Sequence, residues 1–275
     1  MPEVVVAGAA GRMGSRVIAC LRDTPPDSRA DAVSLVLRAA LEAPGHPALG
    51  RDAGEAAGIP VTGVAITADP GTAITRDRIL VEFSFPEATL EHLRLVAERG
   101  ARAVIGTTGF SPAQREEIAR LGTRAAIMLA PNMSVGVTVA LRILAEMARA
   151  LGDDYDVEIS EVHHRFKKDA PSGTAVRMAE VVAEALGRDL SKVGVYGRQG
   201  MPGERTSQEI AVLSQRAGDV VGEHTVTFGT LGERLELTHR AHNRDTFARG
   251  AVRAARWIAT QPPGLYSMQD VLGLR

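Results

Sequence analysis

From Glu3 to about Ser134 the chain alternates short apolar runs with stretches of helical pattern, and this alternation restricts the fold more than any other feature. Glu3-Val4-Val5-Val6-Ala7 reads as a strand and Ser15-Arg16-Val17-Ile18-Ala19-Cys20-Leu21 as the helix after it. Ile79–Ser84 is a second such strand, followed by a helix over Glu87–Glu98. Ala103-Val104-Ile105 precedes a helix capped by Ser111 with Glu116 and Glu117 nearby, and Ala125–Leu129 is the next strand. Repeated strand-helix-strand units place their strands parallel in a doubly wound α/β sheet. Ligands in that architecture bind outside the carboxyl ends of the strands.

The pattern changes after Ser134. A long helix over Val135–Leu151 leads to a strand at Val157–Val162, and Glu209–His239 contains alternating segments such as His224–Phe228 and Arg234–Thr238 that suggest antiparallel strands. This is a second, α+β domain, and a helix from about Thr246 to Ala259 returns to the first. The expected division is residues 1–134 plus 245–275 against 135–244. The Gly-, Arg- and Ser-rich stretch 194–206 is expected to be a mobile loop.

At 275 residues the chain can bury a large core and divide in two. A net charge of −1 gives no electrostatic footprint for nucleic acid or an anionic membrane. No apolar run approaches the ~20 residues that cross a bilayer, and no secretory leader pattern precedes the first strand. Cys20 is the single cysteine, so no intrachain disulfide forms and a reducing cytoplasm is expected.

Between the first strand and helix stands Gly8-Ala9-Ala10-Gly11-Arg12-Met13-Gly14. Strand, glycine turn and helix let backbone amides approach a pyrophosphate at a helix N-terminus, which predicts a Rossmann-type dinucleotide site. Such a site uses an acid at the end of the second strand to hold the ribose hydroxyls. Val33–Leu41 ends at Glu42, farther from the glycines than the usual ~20 residues. The polar insertion 23–29 accounts for the delay. Gly106-Thr107-Thr108 and Ala130-Pro131-Asn132-Met133 follow later strands and are expected on the nicotinamide side of the same cleft.

Residues 161–175, Glu161-Val162-His163-His164-Arg165-Phe166-Lys167-Lys168-Asp169-Ala170-Pro171-Ser172-Gly173-Thr174-Ala175, carry the second signal. Two imidazoles and an ammonium group stand just before a helix start. Pro171 fits its first turn, and Asp169 or Ser172 can cap it. A helix N-terminus favours a carboxylate or phosphate, so proton donors lie beside an anion cradle. Adjacent strand residues point to opposite faces and cannot chelate together, and no second Cys/His cluster has ligand spacing, so no metal is expected.

The chain resembles the dihydrodipicolinate reductase family. The resemblance rests on the Gly8–Gly14 turn, Gly106-Thr107-Thr108-Gly109, the run Glu161–Ala175, Arg216-Ala217-Gly218-Asp219-Val220-Val221-Gly222-Glu223-His224 and Thr246-Phe247-Ala248-Arg249-Gly250-Ala251, in the family's order. It implies hydride transfer from NAD(P)H to a cyclic unsaturated imine dicarboxylate, giving tetrahydrodipicolinate for lysine and diaminopimelate synthesis. His163 falls at the family's catalytic acid position and Lys167 at its second proton donor. His164 and Ser172-Gly173-Thr174 fall at the carboxylate-binding positions. The resemblance also implies a homotetramer built through the second domain's sheet, so that domain would bind substrate and oligomerise.

One departure bears on the cofactor. Family members that use NADPH well often carry Arg directly after the strand-end acid, whereas Glu42 is followed by Ala43 and Pro44. The helper position after Ser84 holds Phe85. NADH is therefore expected to be favoured, with NADPH possible through Arg12. Two other readings stay open at this point. An aspartate- or homoserine-type dehydrogenase would share the nucleotide half but gives no reason for the His163–Ser172 run. A non-catalytic dinucleotide sensor would have no use for the acid cluster.

Overall fold

The computed structural model describes residues 1–23 and 34–274. Most of the polar insertion, from Thr24 on, and Val33, the first residue of the expected Val33–Leu41 strand, lie outside that range. The chain divides into two compact units, Met1–Val135 with Arg244–Arg275, and Gly136–Asn243.

In the first unit the elements run β1 (Glu3–Ala7), α1 (Gly14–Asp23), β2 (Val36–Leu41), α2 (Ala53–Ala56), β3 (Ile66–Thr67), α3 (Pro70–Ala73), β4 (Arg78–Glu82), α4 (Pro86–Arg99), β5 (Arg102–Ile105), α5 (Pro112–Gly122) and β6 (Ala126–Leu129). The second unit holds α6 (Val135–Leu151), β7 (Asp156–His163), α7 (Gly173–Ala185), α8 (Leu190–Val193), β8 (Gly194–Val195), β9 (Ile210–Arg216), β10 (Gly222–Thr230) and β11 (Glu233–Ala241). The chain ends in the first unit with α9 (Asp245–Ile258), β12 (Gly264–Tyr266) and α10 (Met268–Leu272).

The first sheet has the order β12-β6-β5-β4-β1-β2-β3, with every pairing parallel. The strand order reverses at β1 and β4, the point where a doubly wound sheet opens a crevice at its carboxyl edge. Both faces are covered, which explains the unbroken apolar run in β1. Val4 and Val6 enter a core shared with Val17 and Ile18 of α1 and Ala251 and Ala255 of α9. Val5 and Ala7 enter the opposite core with Leu93 and Val96 of α4 and Ile118 of α5. Parallel strands buried on two faces read as continuous hydrophobic runs for this reason. Ser111 closes α5 with a capping box: its hydroxyl accepts the Gln114 amide at 3.2 Å, and the Gln114 side chain accepts the Ser111 amide at 2.8 Å.

The second unit is a five-stranded mixed sheet in the order β11-β10-β7-β9-β8, with α6 and α7 packed on it through Leu144, Ala148, Met178 and Val182. Here one expectation is corrected. β10 pairs antiparallel with both β11 and β7, as expected, whereas β9 runs parallel to β7 and β8. The reason is the crossover: α7 lies between β7 and β9 and carries the chain back along the sheet, as a parallel neighbour requires. The first two residues of the expected loop, Gly194 and Val195, form β8, and ion pairs hold the segment after it. Arg198 is paired with Glu158 and Glu209, and Arg205 with Asp156.

Candidate active site

The glycine turn sits directly at the carboxyl end of β1. Gly8 has φ of 69°, and a Cβ there would lie 2.7 Å from the Phe83 carbonyl oxygen, so both backbone conformation and space demand glycine. A Cβ on Gly14 would collide with the Gly8 carbonyl, which lets α1 start against the turn. Glu42 is the next residue after β2, and its carboxylate accepts the Ala10 amide at 2.8 Å. The acid and the glycine turn, distant in sequence, are thus in contact. Arg12 and Phe85 are exposed, the latter at 78 %.

Beyond the turn lies a cavity of about 250 Å³ lined by Met13, Phe83, Gly106, Ala130, Pro131, Asn132, Met133 and Phe247. Six of these are among the expected cofactor positions, and Phe83 and Phe247 join them. Gly106 keeps the space open, because a side chain there would run into the Phe83 ring. Thr107 faces inward, accepting a hydrogen bond from the Thr89 hydroxyl at 2.9 Å, while Thr108 is exposed. A tight backbone cradle, a helix N-terminus and a carboxylate at the ribose position fit a pyridine dinucleotide.

In the second unit the chemistry gathers around the end of β7. Alternation along a strand puts Glu161 and His163 on one face. Glu161 is fully buried, and its Oε2 lies 2.5 Å from His163 Nδ1 and accepts Arg216 Nη1 at 2.9 Å. Its Oε1 accepts the Ser172 amide at 3.2 Å. Antiparallel pairing sets His224 of β10 opposite Glu161, with the His163 and His224 rings edge to face at 5.2 Å between centroids. His224 Nε2 lies 2.8 Å from the Ser172 hydroxyl, which also accepts the Ala175 amide at 3.2 Å.

Charge in the cluster is graded by burial and partners. For Glu161 burial is the largest effect and pushes its pKa up. Hydrogen bonds from Arg216, His163 and Ser214 together outweigh it and hold the carboxylate below its ordinary value. Burial pushes His163 down, and Glu161 opposes this only in part. His224, buried and beside His163, is pushed down to about 4 and is neutral near pH 7.

Ser172 is the N-cap of α7, which begins at Gly173. Pro171 therefore precedes the cap instead of occupying the first turn, because the Ser172 side chain takes the Ala175 amide of that turn. Asp169 does not cap. Its carboxylate accepts both oxygens' worth of contact from Lys167 Nζ, at 2.9 and 2.7 Å, and this ion pair holds Asp169 below its ordinary pKa. Gly173 is exposed at the end of the helix, where an added Cβ would meet no atom within 4 Å. The His164 ring lies tilted by 41° against Phe166, at 6.2 Å between centroids. Glu161, Arg216 and His224 stand in the motifs that carry the family resemblance but were given no role from sequence. For Glu161 the local signal was an acid two residues before His163 on the same strand face. Among the described residues no group of three or more His, Cys, Asp or Glu side chains can hold a metal ion, and no helix is long and apolar enough to cross a membrane.

Comparison with known proteins follows the same division of the chain. Family models described as dihydrodipicolinate reductase, N-terminus, and dihydrodipicolinate reductase, C-terminus, match residues 2–133 and 136–272. The chain is 52 % identical over 275 residues, all of both sequences, to the 4-hydroxy-tetrahydrodipicolinate reductase of Citrifermentans bemidjiense. It is 50 % identical over the same full length to that of Syntrophus aciditrophicus. A dipicolinate-bound dihydrodipicolinate reductase from Paenisporosarcina sp. TG-14 superposes with a TM-score of 0.74 at 24 % identity, over 98 % of each chain, a likeness of fold.

Proposed function

The chain belongs to the dihydrodipicolinate reductase family, and on that premise we propose how its own residues carry the reaction. The activity is that of 4-hydroxy-tetrahydrodipicolinate reductase, an NAD(P)H-dependent oxidoreductase of lysine and diaminopimelate synthesis. A cyclic unsaturated imine dicarboxylate is reduced to tetrahydrodipicolinate. When bound, the nicotinamide supplies the hydride, and the protein supplies position, field and a proton.

The observation that carries the residue assignment is the joining of His163 and the start of α7 through one buried carboxylate, Glu161. His163 delivers the proton from Nε2, the nitrogen opposite the one that meets Glu161. Lys167 is the second proton donor and stabilises negative charge at the substrate. His164 and the amides of Gly173 and Thr174 hold a substrate carboxylate, with Ser172 shaping that end of the helix as its cap. In the first unit, Gly8-Ala9-Ala10-Gly11-Arg12-Met13 cradles the pyrophosphate and Glu42 binds the adenosine ribose. Gly106-Thr107-Thr108 and Ala130–Met133 line the nicotinamide side.

NADH is the favoured cofactor in this reading. The Glu42 charge repels a 2′-phosphate, and neither Ala43 nor Phe85 offers a compensating cation; Arg12 is the base through which NADPH would still bind. We place the enzyme in the cytoplasm as a homotetramer. Its one cysteine, Cys20, is buried and suits a reducing compartment, and β11 stands at the edge of the second sheet with Leu235 47 % exposed. The test couples dihydrodipicolinate synthase to this protein and follows NADH absorbance, with His163→Gln alongside. General acid catalysis is worth about 10²–10⁴-fold, so turnover should fall by that order while NADH affinity stays the same. Full turnover in the variant would remove His163 from the mechanism.

A further inference from the structure

The His163 ring is held from several sides. Its Nδ1 faces Glu161 Oε2 at 2.5 Å, and β10 passes so close that a Cβ on Gly222 would stand 3.0 Å from Nε2. Glycine at that position leaves the second ring nitrogen uncovered. Glu161 in turn touches three elements: β7 through His163, β9 through Arg216, and the cap of α7 through the Ser172 amide. A carboxylate tolerates complete burial only where donors replace its water. The Ser172 amide requires only an acceptor, whereas Arg216 and His163 both help hold the carboxylate ionised. Arg216 has further acceptors in the carbonyls of Gln215 and Asp169. His163 is the contact whose ring hydrogen the ionised carboxylate fixes.

We infer that Glu161 is a positioning residue for the reduction: it keeps a hydrogen on His163 Nδ1, so that Nε2 is the working nitrogen, and it ties that ring to the helix end that cradles the substrate carboxylate. The inference rests on the reading of His163 as proton donor. An ionised carboxylate accepts hydrogen bonds and cannot donate them, so the ring nitrogen facing it carries hydrogen in both protonation states. The additional proton of the imidazolium then resides on Nε2, the atom from which it can leave. The charged and titratable groups around the ring are Glu161 on β7, Arg216 on β9, His224 on β10, and Lys167 with its partner Asp169 in the following loop. Burial, Lys167 and Arg216 all oppose the imidazolium, and Glu161 is the group that favours it.

Glu161→Gln preserves volume and an acceptor for the Ser172 amide but removes the charge. With its carbonyl toward Ser172, its NH₂ faces His163 and moves the ring hydrogen to Nε2. The experiment measures kcat and KM against pH for wild type, Glu161→Gln and Glu161→Asp, with the imidazole nitrogen chemical shifts of His163 in the full chain. In wild type the neutral ring should carry hydrogen on Nδ1. In Glu161→Gln it should carry hydrogen on Nε2, and the alkaline fall in kcat should move toward acid. The loss in kcat should grow from little at acid pH to about 10²-fold above neutrality, the lower end of what a general acid contributes, with KM changing less. Glu161→Asp keeps the charge and should restore part of the alkaline limb, which a purely structural role would not predict. An unchanged limb and tautomer in Glu161→Gln overturns the inference. So does an Nε2–H tautomer in wild type, a measurement that requires no variant to fold. Full turnover in His163→Gln would instead refute the proton-donor reading and leave the tautomer result standing.

Discussion

His224 offers a perturbation whose size follows from where the ring sits. It is 4 % exposed, and burial together with the neighbouring His163 lowers its pKa from 6.5 to about 4. In the unfolded chain the same ring titrates normally. Below about pH 6.5 the unfolded state therefore takes up a proton that the folded state refuses, and stability falls as pH falls. The His224 contribution is fully present above pH 6.5 and is lost progressively toward pH 4. The whole gap is worth on the order of 3 kcal/mol, of which about 2 kcal/mol is gone by about pH 5. His163 and His239 are also pushed down by burial and act with the same sign, so acid sensitivity of the wild type alone would not isolate His224. A comparison with His224→Gln does, because the amide can still reach the Ser172 hydroxyl and does not titrate. Urea unfolding of both proteins at neutral pH and near pH 5, followed by far-UV circular dichroism, gives the difference. The wild type should lose about 2 kcal/mol more than the variant over that interval. Hydrogen exchange should show the extra loss in α7, whose cap His224 supports through Ser172. Equal pH-dependent losses in the two proteins would mean that the ring is solvated or charged in the folded state, and the reasoning would fail.

Lys167→Ala should lower kcat and raise KM for the imine substrate, since the ammonium is half-enclosed beside the cluster, whereas the exposed Lys168→Ala should stay close to wild type in the same steady-state assay. Equal losses would put the second proton donor elsewhere. Gly173→Val should abolish inhibition by pyridine-2,6-dicarboxylate while the protein melts normally, because the added side chain meets open space in the fold but covers the helix end. Inhibition at the wild-type concentration would move the carboxylate site away from α7. Ala43→Arg should shift affinity toward NADPH, read as dissociation constants by calorimetry for both cofactors. The shift should shrink as salt rises if the guanidinium acts mainly through charge. Tighter NADPH than NADH binding by the wild type would assign the phosphate to Arg12 or another base.

The parallel sheet was legible because its strands are buried on both faces, and Val4-Val5-Val6 states that condition in three consecutive residues. The glycine turn was equally plain, since Gly8 and Gly14 answer to backbone contacts within and beside one turn. The contact of Glu42 with the glycine turn follows from its place at the end of an apolar strand, whatever the spacing. The last strand and helix, Gly264–Tyr266 and Met268–Leu272, were not foreseen; elements of three and five residues are too short to show a period. The direction of β9 was misread because Ile210–Arg216 buries its first three residues in succession and exposes the next three, a pattern that says nothing about strand orientation.

The candidate site divides along the same line. His163, Lys167 and Gly173 fall in one continuous run, so local sequence displays an imidazole, a cation and a helix start together. What binds them into one device is not local. Arg216 reaches Glu161 only because β9 lies beside β7, and His224 stands opposite Glu161 only through the register of β10. A buried acid flanked by such partners looks, in a single sequence, like any glutamate on a half-polar strand. Sheet pairing converts it into the acceptor that orients His163 and anchors Ser172. The residues proposed to meet the substrate are therefore set by their order along the chain. Those that set their protonation and direction depend on contacts 11, 55 and 52 positions apart for Glu161–Ser172, Glu161–Arg216 and Ser172–His224, which only the folded sheet specifies.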